Sequence, residues 1–182
     1  MHDALDNLHT DRLFLRRPVA ADVPVYFAIF GDPATNRFNP NGPLSDLAAA
    51  DAAIAARMAH WAARGCGSWA VSWRERPDDV IGFAGLSYKH YGDVERINLG
   101  YRFATTAWGR GVATEVARAA LGIGWRVLRL GEVWAMVDAH HQASRHVLEK
   151  VGMTLVDREA FAGDHAPGDV WYRVGRPQDD GT

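Results

Sequence analysis

The chain lacks the features that would anchor it covalently or in a membrane. Its 182 residues include one cysteine, Cys66, which excludes an intrachain disulfide and a cysteine-rich metal site and fits a reducing compartment. Cys66 follows a helix end in RGCGSW without a local base, so it reads as structural rather than as an acyl acceptor. No apolar run approaches the roughly 18 residues of a bilayer-spanning helix. The polar, acidic opening MHDALDNLHTDR is no signal peptide. A cytoplasmic protein without a membrane partner is expected. Excess charge of one sign is also missing: 20 basic residues face 22 acidic ones, for a net charge of −2. That balance gives no support to a nucleic-acid partner. Repeats, low-complexity tracts and linkers are absent, so one domain over residues 8–177 is expected.

What is present belongs to an ordinary globular α/β domain, with 48% apolar and 23% charged residues. Thr10–Pro18 alternates as a first strand, and Ala20–Phe30 reads as a short helix with Pro24 in its first turn. The turn-rich NRFNPNGP precedes an alanine-rich helix with Ser45 as N-cap, a stripe of Leu47, Ile54, Met58 and Trp61, and Gly65 as its stop. Three strand-like runs follow, around 69–73, 80–88 and 97–103, with Pro77-Asp78-Asp79 and Gly92-Asp93 as the hairpin turns between them. The period then becomes helical from Val112. A buried strand Val133–Val137, a second amphipathic helix Gln142–Val151 and strands at Thr154–Phe161 and Val170–Val174 complete the domain.

The segment TTAWGRGVATEV asks why two glycines stand at a helix start, where they cost backbone entropy. A helix N-terminus offers unpaired N–H groups and a partial positive charge, and glycines let an anion approach them. Gly109 and Gly111 supply that access, with Arg110 between them as a further charge. The phosphate-loop pattern GxxxxGK[ST] fails here, and the dinucleotide pattern GxGxxG fails because Thr114 stands where the third glycine belongs. A tight turn with no ligand remains the alternative on spacing alone.

WGRGVATEVARAAL followed by HQASRHVLEKVGM resembles the GNAT superfamily of acyl-CoA-dependent N-acetyltransferases, and in particular its RimJ/RimL branch. TDRLFLRRP, VIGFAGL and INLGYRF extend the likeness along most of the chain. The resemblance implies a single GNAT-type domain: a mixed, mostly antiparallel, twisted sheet with splayed central parallel strands, flanked by helices. It implies acetyl-CoA as co-substrate and no metal. The pyrophosphate loop falls on Trp108 to Ala113, with Trp108 where the family often has Gln or Arg. Binding would come from the backbone of Gly109, Arg110, Gly111, Val112, Ala113 and Thr114. The pantothenate arm would pair with the strand edge at Tyr101, Phe103 and Ala104. His141 stands at the Asn of the family's N-x-x-[S/A] signature, and Ser144 closes that signature.

Transfer to an amine needs a neutral nucleophile, a polarised thioester carbonyl and a proton for the departing thiolate. Leu148 occupies the position of the tyrosine acid found in many members, which makes Ser144 the candidate donor. Asn98 occupies the position of the usual glutamate base. A water held by Asn98 could relay a proton to Glu95, Asp138 or His140, and bulk water is an equal alternative. Phe38, Trp61 and Tyr88 correspond to the acceptor pocket of relatives. The expected acceptor is a small-molecule or peptide amine, and a homodimer is a possible assembly. A non-catalytic acyl-CoA-binding sensor is the rival reading. The cluster Asp138, His140, His141 and His146 has no carboxylate spacing that supports a metal.

Overall fold

The computed structural model describes residues 5–156 and 168–177. Eight strands form one sheet: β1 (Leu8–His9), β2 (Leu13–Arg16), β3 (Ser68–Trp73), β4 (Arg76–Tyr91), β5 (Val94–Phe103), β6 (Glu132–Asp138), β7 (Thr154–Val156) and β8 (Asp169–Gly175). Their spatial order is β1-β2-β3-β4-β5-β6-β8-β7. Every neighbouring pair is antiparallel except β5 and β6. Four α-helices, α1 (Val23–Phe30), α2 (Leu47–Arg64), α3 (Val112–Arg126) and α4 (Gln142–Lys150), complete the α/β domain. The expected mixed sheet with a central parallel pair is therefore present. The expected strand Thr154–Phe161 is seen as β7, and its positions 157–161 lie outside the described residues.

β2 alternates as its sequence demands: Leu13 and Leu15 are fully buried beside half-exposed Phe14 and Arg16. β4 and β5 pair over ten consecutive positions from Gly82↔Phe103 to Tyr91↔Val94, closed at Gly92, whose φ of 58° suits glycine. The two faces of this hairpin meet different cores. Ala84, Leu86, Leu99 and Phe103 join the main core with α3 and α4 residues such as Val116, Ala120 and Leu148. Phe83 joins Tyr26, Ile29, Ala50 and Ile54 in a second core under α1 and α2.

Three local expectations are corrected. Asp46, not Ser45, caps α2: its carboxylate accepts the Ala49 N–H at 2.8 Å, and Ser45 Oγ donates to the other carboxylate oxygen at 3.0 Å. The buried line on α2 runs through Ala50, Ile54 and Trp61, whereas Leu47 and Met58 flank it and stay 53% and 40% exposed. The β3–β4 turn lies at Arg74-Glu75, before Pro77. The register shifts around Ser72, whose hydroxyl donates to the Pro77 carbonyl, and an irregular pairing tolerates a proline without an N–H.

The entry to α1 rests on a buried ion pair. Arg16 grips Asp22 through both carboxylate oxygens, at 2.8 and 2.6 Å, and the Val19 N–H donates to the same carboxylate at 2.9 Å. This hydrogen bond holds the Arg16 pKa above its ordinary value, against the opposing effect of burial. Asp22→Ala leaves a half-buried guanidinium without its partner, so it is expected to destabilise the fold by about 3 kcal/mol. The check is a lower urea midpoint at unchanged m-value.

Candidate functional site

β5 and β6 run parallel but meet at one register position, Asn98↔Trp134. Beyond it the strands part. Ala104 N–H bonds to Ile81 O of β4 at 2.9 Å, so strand alternation turns the peptide groups of Tyr101 and Phe103 the other way, into the gap. Two N–H groups and the Tyr101 carbonyl are thereby offered to whatever enters. The Phe103 carbonyl is taken by the indole N–H of Trp108 at 3.0 Å. Trp108 itself is 52% exposed and folds back over the strand end.

The chain leaves β5 through a 3₁₀ turn, Thr105–Ala107, and enters α3 through the glycine loop. Gly109 and Gly111 have φ of 71° and 76°, a region that side-chain-bearing residues seldom adopt. The first intrahelical bond runs from Glu115 N to Gly111 O, so the N–H groups of Val112, Ala113 and Thr114 have no partner within the helix. A carboxylate at the fourth position would oppose an anion there, and Glu115 is disarmed by Arg12. The Arg12 side chain binds Glu115 at 2.7 and 2.6 Å and also donates to the Arg110 carbonyl at 2.9 Å. Thr10 Oγ donates to Glu115 at 2.6 Å. Burial acts to raise the Glu115 carboxyl, but these bonds outweigh it and hold it below the usual carboxylate range. Arg110 turns away from the loop and lies 4.3 Å over the Trp73 ring.

A cavity of about 120 Å³ lies where the strands part. On one side stand Tyr101, Ser144 and Leu148, and on the other Asn98, Gly100 and Lys89. The Tyr101 hydroxyl sits 2.9 Å from Ser144 Oγ and donates to the Ser144 carbonyl at 3.1 Å. Burial pushes the Tyr101 phenol up to about 12, so it keeps its proton at any working pH. Tyr91 donates to Asn98 Oδ1 at 2.8 Å. The Asn98 amide nitrogen lies over Gly100, where a Cβ would sit 3.4 Å from it. Lys89 lies 4.9 Å over the Tyr91 ring, and burial pushes its ammonium below the ordinary lysine range against the pull of Asp169.

The other expected residues distribute unevenly. His141 is the residue before α4, and its ring stacks on Phe38 at 4.3 Å. Burial lowers its pKa, with Asp138 opposing and Arg102 assisting. The loop expected at the acceptor pocket thus touches the turn expected at the co-substrate. Trp61 is buried, its N–H donating to Ser68 O at 2.9 Å, and Tyr88 packs beneath Arg64 on the same core. Neither shares the Phe38 surroundings. The relay candidates also lie apart from the cavity: Glu95 is ion-paired with Arg64, and Asp138 accepts the His140 N–H at 2.7 Å. Among the described residues no cluster of His, Cys, Asp or Glu could hold a metal, and no helix is long and apolar enough to cross a membrane. The buried Cys66 thiol is pushed up to about 11, as an inert core thiol should be.

Sequence reasoning missed Lys89 and the partnership of Tyr101 with Ser144. A lysine two positions before the Tyr91 that holds Asn98, and so on the same strand face, was the available signal for the first.

A split parallel pair, a left-handed glycine loop and a helix start without a side-chain cap together offer unpartnered N–H groups suited to an anionic, amide-bearing ligand. Residues 12–154 match the acetyltransferase (GNAT) domain family, and the chain belongs to it. It is an acetyl-CoA-dependent acyltransferase by that membership. The chain is 28% identical over 147 residues to the uncharacterized N-acetyltransferase YoaA of Bacillus subtilis, covering 80% of this chain and 81% of that protein. The acetyltransferase of Agrobacterium tumefaciens superposes with a TM-score of 0.79 at 28% identity, over 92% of each chain. RimJ of Mycobacterium smegmatis, solved in complex with CoA-disulfide, shares the fold with a TM-score of 0.69 at 17% identity, over 90% of this chain and 81% of that one.

Gly111→Trp forces a bulky side chain into left-handed backbone at the loop. CoA affinity is expected to fall at least tenfold, about 1.4 kcal/mol, by isothermal titration calorimetry. The far-ultraviolet circular dichroism should match that of the parent.

Proposed function

We propose that this enzyme transfers the acetyl group of acetyl-CoA to a primary amine, on a protein N-terminus or a small molecule, by direct attack in a ternary complex. Its motifs resemble those of the RimJ/RimL branch. The observation that carries the reading is the cavity at the strand split, which has a hydroxyl pair on one wall and two nitrogen donors on the other.

The loop from Gly109 to Thr114 holds the pyrophosphate, and the gap-facing peptides of Tyr101 and Phe103 receive the pantetheine amides as a strand would. A free N–H in that gap polarises the thioester carbonyl. The amine nitrogen forms the new C–N bond, the C–S bond breaks, and the Ser144 hydroxyl gives its proton to the leaving sulfur while the surplus proton of the attacking nitrogen passes through water to restore the Ser144 hydroxyl. Tyr101 is a positioning residue that fixes the Ser144 rotamer and stays protonated while doing so.

Asn98 cannot take a proton, and Tyr91 fixes its carbonyl away from that task. Lys89 replaces the missing carboxylate by a different route. Its charge and the Asn98 amide N–H disfavour a second cation in the same small cavity, so the bound amine sheds its proton to solvent and attacks neutral.

A free-thiol release assay with acetyl-CoA and a panel of amines tests the reading. Turnover with one amine class supports it, whereas CoA binding with no turnover across the panel favours the sensor. Ser144→Ala should lower kcat about 10²-fold, and Tyr101→Phe should lower kcat with little change in the KM for acetyl-CoA. Lys89→Met should move the acidic limb of the kcat profile to higher pH, because the bound amine then keeps its proton longer. A limb that stays in place would remove Lys89 from the mechanism.

A further inference from the structure

Two half-buried arginines on the α1–α2 side of β5 have no carboxylate partner among the described residues. Arg102 lies on the same face of β5 as Asn98 and Gly100. Successive positions on one strand face are about 7 Å apart, so Arg102 stands one step from the cavity wall. Its guanidinium carbon lies 4.7 Å over the Phe30 ring, and it donates to Asn36 Oδ1, a neutral acceptor. Arg57 of α2 lies over the same ring at 5.4 Å and over Tyr26 at 4.7 Å. It bonds only weakly to the Ala53 carbonyl at 3.3 Å, and its buried Nε has no hydrogen-bond partner. Among the described residues neither arginine makes a salt bridge.

The electrostatics agree with the geometry. Burial lowers both guanidinium pKa values, and Arg57 lowers that of Arg102 further; among the described residues Tyr26 alone acts to raise either. Two like charges share one aromatic ring, and among the described residues no carboxylate pairs with either. Evolution could have filled the site with apolar side chains at no loss of stability. An arrangement that costs stability and brings two guanidiniums to one aromatic ring suits recognition of an anionic group.

We infer that Arg57 and Arg102 form an anion subsite of the acceptor pocket, and that the acceptor is a small amine carrying a carboxylate or phosphate. This rests on the transferase reading and names its substrate class. The amine enters the cavity beside Asn98 while the anion lies between the two guanidiniums above Phe30. The same pair repels polyamines.

The test uses the full chain and a series of ω-amino carboxylates of increasing chain length, ω-amino phosphonates, and their uncharged amide or alkylamine counterparts, in the free-thiol assay. The expected result is a kcat/KM at least tenfold higher for the anionic member of each pair at its best length. The carboxylate and phosphonate arms tell which anion fits. Arg102→Gln and Arg57→Gln should each raise KM for the anionic amine and leave that for the neutral one unchanged, which a merely structural role would not do. Thermal melts of both variants should match or exceed the parent.

Equal turnover of charged and neutral members, or a preference that survives both substitutions, overturns the subsite. If no amine is acetylated, the transferase reading fails, and calorimetry decides the subsite separately with the N-acetylated ω-amino carboxylates as probes in the presence of CoA. Heat from these probes with the parent, absent with their amides and with Arg102→Gln, supports the subsite; no heat with the parent overturns it.

Discussion

The single register position shared by β5 and β6 is the constraint on which the rest depends. A parallel pair that continued past Asn98 and Trp134 would satisfy the peptide groups of Tyr101 and Phe103 internally and leave nothing to bind. The divergence is held open by matter on both sides. The Tyr101 side chain reaches to Ser144, and Leu148 packs into the main core below. On the far side the ten-pair hairpin with β4 keeps β5 straight, so the strand cannot bend toward β6 to close the ladder.

The loop after β5 depends on the same geometry. Because β5 ends at the open gap, the chain must turn sharply to start α3 above it, and the glycines make that turn with backbone in the left-handed region. The first strand contributes through Arg12, which binds Glu115 and the Arg110 carbonyl together. A segment nearly one hundred residues earlier in the chain thus fixes the loop and cancels the one carboxylate in the first helical turns. The anion-receptive character of the helix start is consequently a property of the tertiary fold as well as of its glycines.

Much of this could be read from the residues. Alternation in β2, β3 and β5 marked the strands, and glycines at 65, 92, 109 and 111 marked real turns, because glycine is selected by backbone conformation, which is local. Asn98 was visible as a departure from the glutamate of relatives. The partners were not visible. Tyr101 finds Ser144 across 43 positions, and Arg57 and Arg102 converge from α2 and β5 on Phe30 of α1, so no spacing rule connects them. The β3–β4 turn was misplaced for a related reason: an irregular pairing at Ser72 allows Pro77 into the strand, and pairing depends on the partner chain. Trp61 was assigned to a pocket by its correspondence to relatives, yet the end of α2 carries it into the main core.

Trp108 has an optical consequence. Of the seven tryptophans, Trp61, Trp69, Trp73, Trp134 and Trp171 are buried and Trp125 is half-buried, while Trp108 alone is exposed. Its indole is pinned to the end of β5 by the Phe103 carbonyl, beside the glycine loop. The red side of the emission will therefore report the ring beside the glycine loop, and a water-soluble quencher will reach it ahead of the others. The fold carries its own fluorophore at the place where occupancy changes, and filling of the loop can be followed without a label.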